Sequence, residues 1–305
     1  MNWLKRIFRR VAAVGAAVSL GSAMPGLATP EALAPAASEE RAGPALWKVA
    51  DDDTTIYIFG TVHALPEKLE WMDETIADAL GSSDELVTEI DLADTADAGA
   101  AIASLAMLPE GRNLRDMLGP EDRKAYEAAL AQLGIPLSSF DRFEPRFASL
   151  TLPTLPPIQQ GYSPESGVEN TLAGKFAQGR QRAALETMQY QLGLFDSLPM
   201  ETQLSYLRQV VEGVPEMKDK LDEMIARWLE GDADALANLI NEEEVDPVLM
   251  DRLLTQRNLN WAEWIGQRLE KPGTVFMAVG AGHLAGDESV QSVLARRGIT
   301  VTRVQ

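Results

Sequence analysis

Thr54-Thr55-Ile56-Tyr57-Ile58-Phe59-Gly60-Thr61-Val62-His63 decides the architecture, together with a counterpart near the other end of the chain, Thr274-Val275-Phe276-Met277-Ala278-Val279-Gly280-Ala281-Gly282-His283. In each, a short β-prone apolar run leads into a glycine and, three residues later, a histidine. The glycine lets the chain leave a strand through torsions that a side chain would forbid, and lets a ligand approach the backbone. Ligands of open α/β sheets collect at the carboxyl ends of the strands, so both imidazoles are expected at one sheet edge.

Working outward, Ala45–Ala50 and the strand that follows flank Asp51-Asp52-Asp53, which predicts a hairpin around an acidic turn. Residues 70–80 carry Trp71, Ile76, Ala79 and Leu80 at helical spacing, with Gly81 as the stop. Residues 85–90 read as the next strand, giving a strand–helix–strand crossover whose natural geometry is a parallel pairing. Residues 97–134 read as helical. The five prolines from Pro145 to Pro164, both ends included, predict an irregular connector. Helix is expected again over 165–178, strand over 182–185, and helices from 188 to 270. The chain closes with strand 274–279, helix 287–297 and strand 299–304. The fold class expected is therefore α/β: a mixed, largely parallel sheet built from both chain ends, with a large helical insertion (about 97–180 and 188–270) inside one domain over 45–305.

Ahead of that body, Lys5, Arg6, Arg9 and Arg10 precede an uncharged, mostly apolar run over 11–20 and then small residues, the order of a secretory signal. The run is short for a membrane span, which needs about 20 residues. The reading is a signal peptide over 1–28, a disordered leader over 29–44, and export, most simply to a bacterial periplasm. An uncleaved N-terminal anchor is the alternative.

The 305 residues hold 27 Lys plus Arg against 46 Asp plus Glu, a formal charge of −19 that becomes −23 without residues 1–28. That balance argues against nucleic acid as a partner, because phosphate binding needs clustered cations. Cysteine is absent, which excludes disulfides, thiolate metal sites and cysteine nucleophiles. Only two histidines are present, so imidazole chemistry rests on His63 and His283. Two carboxylates share their setting, Glu89 after Leu86-Val87-Thr88 and Glu186 after Ala183-Ala184-Leu185. Two imidazoles with carboxylate oxygens form a plausible shell for Zn²⁺, Mn²⁺ or Co²⁺, and the bound water would be acidified. His-Glu-x-x-His, the phosphate-binding Gly-x-x-x-x-Gly-Lys and Gly-x-Ser-x-Gly are all absent. The tryptophans at 71, 228, 261 and 264 sit in helical patterns and read as core.

These residues resemble the TraB/GumN family, which is related to the Tiki proteases and more distantly to the erythromycin-esterase group. The landmarks are Leu46-Trp47, Gly60-Thr61-Val62-His63, Glu89, Gly167-Val168-Glu169, Leu185-Glu186-Thr187 with Gln191, Trp228 before Gly231-Asp232, Arg257-Asn258 with Trp261, and Val279-Gly280-Ala281-Gly282-His283-Leu284 with Gly286. The resemblance covers about residues 45 to 305. It implies an α/β fold and, by analogy with Tiki, a hydrolase or peptidase dependent on a divalent metal (Mn, Co or Zn). His63, Glu89 and His283 are carried over as metal ligands, with Glu89, Glu186 and Arg257 as catalytic candidates and a peptide or small molecule as substrate. The rival expectation is a non-catalytic binding protein for a peptide or in support of envelope polysaccharide export. Under that rival the histidines are structural or bind a ligand without turnover; separately, Arg257 and Asn258 have a purely structural alternative as a buried ion pair or helix contact.

Overall fold

A computed structural model describes residues 43–91, 106–241 and 247–305. The expected signal peptide, nearly all of the leader, and the start of the first helical stretch (97–105) lie outside the described residues. Six strands form one sheet, in the order β6 (Gln181–Ala184), β4 (Glu85–Thr88), β7 (Gly273–Gly280), β2 (Thr54–Thr61), β1 (Leu46–Ala50) and β8 (Thr302–Arg303). β1 (Leu46–Ala50) and β2 (Thr54–Thr61) make the expected antiparallel hairpin. Its turn is closed by Asp51, whose carboxylate accepts the backbone N–H groups of Asp53 and Thr54.

The helix Glu74–Ser82 starts later than its periodicity suggests, because Asp73 caps it by accepting the N–H of Ile76. It carries the chain across to β4 (Glu85–Thr88), which runs parallel to β2 but does not pair with it. β7 (Gly273–Gly280) lies between the two and pairs parallel with both. The inserted strand is the most apolar in the sheet, with Val275 to Val279 wholly buried, so it takes the centre. β6 (Gln181–Ala184) extends the parallel part beyond β4, and the short β8 (Thr302–Arg303) pairs antiparallel with β1. The sheet is thus mixed and mostly parallel, and both chain ends build it.

Residues 145–164 are not a connector. They form the helices Pro145–Thr151 and Leu155–Gln159, joined by a 3-10 turn at Leu152–Thr154. The prolines in these segments fall in first turns, where a missing N–H breaks no helical bond. The flanking Phe147, Ala148, Leu152 and Leu155 are buried in a core that belongs to the helical middle of the chain, with Tyr126, Leu130, Leu207 and Val210. Two other cores cover the two faces of the sheet. One contains Phe59, Trp71, Trp228 and Phe276, and the other Ile58, Val87, Trp261 and Met277. The helical middle makes a core of its own and also lends the helix Met217–Leu229 to the sheet. Among the described residues no helix is long and apolar enough to cross a membrane.

Candidate functional site

Four parallel strands end at one edge, and their registers align the ends: Thr61 opposite Gly280, Thr88 opposite both Ala278 and Ala184. His63, Glu89, Glu186 and His283 follow those ends within three residues, as the sequence pattern predicts. Two groupings result, one wholly buried and one reaching the surface.

The buried grouping centres on Arg257, near the start of the helix Gln256–Arg268 and 1% exposed. Its Nε donates to both oxygens of Glu186 (2.9 and 3.1 Å), and its Nη2 to Glu186 Oε2 (2.9 Å) and Glu89 Oε2 (2.5 Å). Its Nη1 donates to the carbonyl of Leu253 (3.2 Å) and meets His283 Nε2 at 3.0 Å. The Leu253 carbonyl comes from a π-helical turn, Asp251–Thr255, just before the helix. A guanidinium has five N–H donors, and all five are used. Gln191 bridges the two acids, donating to Glu89 (3.0 Å) and Glu186 (2.9 Å), and Trp261 Nε1 donates to Glu186 (3.0 Å). Glu89 also accepts the N–H of Gly280 (2.7 Å).

The tautomer of His283 follows from its neighbours. Asn258 donates its amide N–H to the carbonyl of Glu288 (2.7 Å), which turns its Oδ1 toward His283 Nδ1 at 2.6 Å. Nδ1 must then carry the proton, and Nε2 is the acceptor for Arg257. Burial and then the nearby guanidinium keep this imidazole neutral, pushing its pKa down to about 3. Burial, the largest single influence, would raise Glu89. Arg257 first, then the imidazoles and the Gly280 N–H, together outweigh it and hold Glu89 at about 2. A carboxyl so acidic is an ionised partner at neutral pH and a weak base.

The second grouping is His63 with Glu169. The loop carrying His63 is fastened to the segment before the helix Val168–Lys175. β3 (Leu65–Pro66) pairs with β5 (Tyr162–Ser163), and the N–H of Val168 donates to the carbonyl of Val62 (3.0 Å). That crossing puts Glu169 Oε1 2.5 Å from His63 Nδ1 and within reach of the Thr61 hydroxyl (2.6 Å). Burial opposes ionisation of Glu169, but the imidazole and the Thr61 hydroxyl lower its pKa overall. His63 keeps 20% of its side chain exposed, where Arg257 keeps 1%. His63 also contributes to the electrostatics of both Glu89 and His283, so the two imidazoles share one neighbourhood.

The model of the TraB/PrgY/gumN family matches residues 45–303. The chain belongs to that family. An uncharacterized protein of Treponema pallidum (strain Nichols) is 23% identical to this family member over 275 residues, covering 82% of this chain and 80% of that protein. No solved structure matches it.

The family resemblance implied a divalent ion held by His63, Glu89 and His283. Among the described residues no group of three or more His, Asp or Glu side chains is placed to hold a metal ion. The donor chemistry gives the reason. The lone pair of His283 Nε2 is taken by Arg257, and Glu89 is shared among Arg257, Gln191 and Gly280. Of the three, His63 alone has the carboxylate partner usual behind a metal-bound histidine. As arranged, the set does not fit a resident ion. Arg257, a catalytic candidate from the resemblance, has no N–H left to donate to a bound carboxylate or oxyanion.

Glu169 is the candidate-site residue whose contact local reading misses, although it stands in a family landmark, because its partner His63 lies 106 positions away. Asn258 and Gln191 also stand in landmarks, and their partners His283 and Glu89 lie 25 and 102 positions away.

Proposed function

We propose that this family member is a hydrolase of peptides or related acyl compounds, with His63 as general base toward water and Glu169 as the carboxylate that orients it. The observation that carries this reading is the 2.5 Å Glu169–His63 contact on a partly exposed imidazole at the carboxyl edge of a parallel sheet. A carboxylate on Nδ1 selects the tautomer with its lone pair on Nε2 and stabilises the imidazolium formed when that nitrogen takes a proton. Glu89, Glu186 and Arg257 then act as the rigid floor that positions the strand ends. The divalent ion expected from the resemblance would fall to His63, Glu89 and His283, of which Arg257 engages the last two. Export to the periplasm belongs to the same proposal and rests on the N-terminal charge pattern alone.

Turnover of a quenched fluorescent peptide library by the purified mature chain tests it. Substituting His63→Asn is expected to lower kcat by about 100-fold or more, the usual scale for a lost general base. Glu169→Gln should lower it by roughly 10–100-fold, as loss of an orienting partner does. Undiminished turnover in His63→Asn would overturn the assignment. The saturated bonding of Arg257 favours a second reading, a binding protein without turnover. Peptide binding by the wild type with no cleavage of any library member is the result that selects it.

A further inference from the structure

We infer that the guanidinium of Arg257 is the permanent cation of the strand-end cluster, standing among Glu89, Glu186 and His283 so that a divalent metal is taken up there only when the arginine is removed. Three observations carry this, and none depends on catalysis. First, an imidazole nitrogen has one lone pair. His283 Nε2 spends it on Arg257 Nη1 at 3.0 Å, and Asn258 fixes the proton on the other nitrogen. An ion at Nε2 would have to displace that N–H. Second, the arginine is locked from every side. Its donors are saturated, its plane lies over the Trp261 ring at 4.7 Å, and the π-helical turn supplies the carbonyl that closes the last bond. Third, the acids around it already have their counter-charge, and a dication beside a guanidinium would be repelled in a site this buried.

The same geometry says what remains once Arg257 is gone. Glu89 Oε1 and His283 Nε2 lie 4.0 Å apart, so the pair needs to close by only about 0.6 Å to reach the roughly 3.4 Å between two tetrahedral ligands held at about 2.1 Å. Glu186 adds a second carboxylate. Oxygen and imidazole donors of this kind suit Mn²⁺, Co²⁺ or Zn²⁺.

The test uses the mature chain, stripped with chelator and titrated with MnCl₂, CoCl₂ and ZnCl₂, read by calorimetry and by Tm. The wild type should show no saturable uptake that depends on Glu89 or His283. Arg257→Met should have a lower Tm without metal, and should gain uptake of one ion per chain with a rise in Tm. Arg257→Lys keeps the charge and should stay unresponsive. Uptake by the wild type that disappears in Glu89→Gln and in His283→Ala would overturn the inference, and so would a folded Arg257→Met that ignores all three ions. Should Arg257→Met not fold, the wild type and Arg257→Lys decide alone. Every readout is binding or stability, so failure here leaves the His63–Glu169 assignment standing, and the reverse also holds.

Discussion

Glu186 receives donors from three side chains of different origin: Arg257, Gln191 from the helix Met188–Asp196, and the indole N–H of Trp261. A buried carboxylate is tolerated only while such donors remain. Trp261→Phe keeps an aromatic ring against His283, whose centroid lies 4.3 Å away, but removes the donor. The expected cost is about 2 kcal/mol, the scale of one bond to a charged group, read as a lower midpoint in a urea titration at pH 7. An unchanged midpoint would mean that Arg257 and Gln191 hold Glu186 without the indole. The sequence pattern does reveal Glu186, since an acid directly after an apolar strand stands out. It assigns Trp261 to the core, which is right for its ring. The bond from Nε1 is not legible, because 75 positions separate donor and acceptor and no local pattern encodes that pairing.

At the scale of elements, His63 is placed by a close crossing of two backbones. A Cβ on Gly167 would sit 2.1 Å from the carbonyl oxygen of His63 and 2.7 Å from its carbon, both main-chain atoms that cannot swing aside. Gly167→Ala should therefore force the crossing apart, at a cost of about 1–3 kcal/mol as overpacking does. It should also part His63 from Glu169. Gly174, in the same helix, has nothing within 4 Å of its missing Cβ. Gly174→Ala should be neutral or stabilising by up to about 1 kcal/mol. Thermal unfolding of the two variants beside the wild type checks the pair, and equal Tm values would refute the crossing as a constraint. The element pattern itself is largely legible: hairpin, crossover helix and closing strands follow from period and turn chemistry. Pro145–Pro164 misleads because proline punctuation is ambiguous. The same residue that ends a helix also opens one, and only the burial of Phe147, Leu152 and Leu155 shows which is happening.

For the whole molecule, a formal charge of −19 and a neutral buried histidine pull stability in opposite directions as pH falls. Protonating surface carboxylates relieves self-repulsion, which favours the folded state. His283 works the other way: burial and Arg257 depress its pKa from the ordinary 6.5 to about 3, so between those values the unfolded chain binds a proton that the folded chain refuses. Stability from this group is complete above about pH 6.5 and drains away toward pH 3. Glu89, held at about 2 against 4.5, adds its own loss below about pH 4.5. From pH 7 to pH 5 the carboxylates of the unfolded chain are still mostly ionised, and His283 by itself should cost about 2 kcal/mol by proton linkage. Urea midpoints at pH 7, 6 and 5 in metal-free buffer measure this, and His283→Gln should flatten the profile over the same interval. A wild-type midpoint that stays level or rises toward pH 5 would mean that His283 is not held neutral and that relief of the acidic surface governs instead.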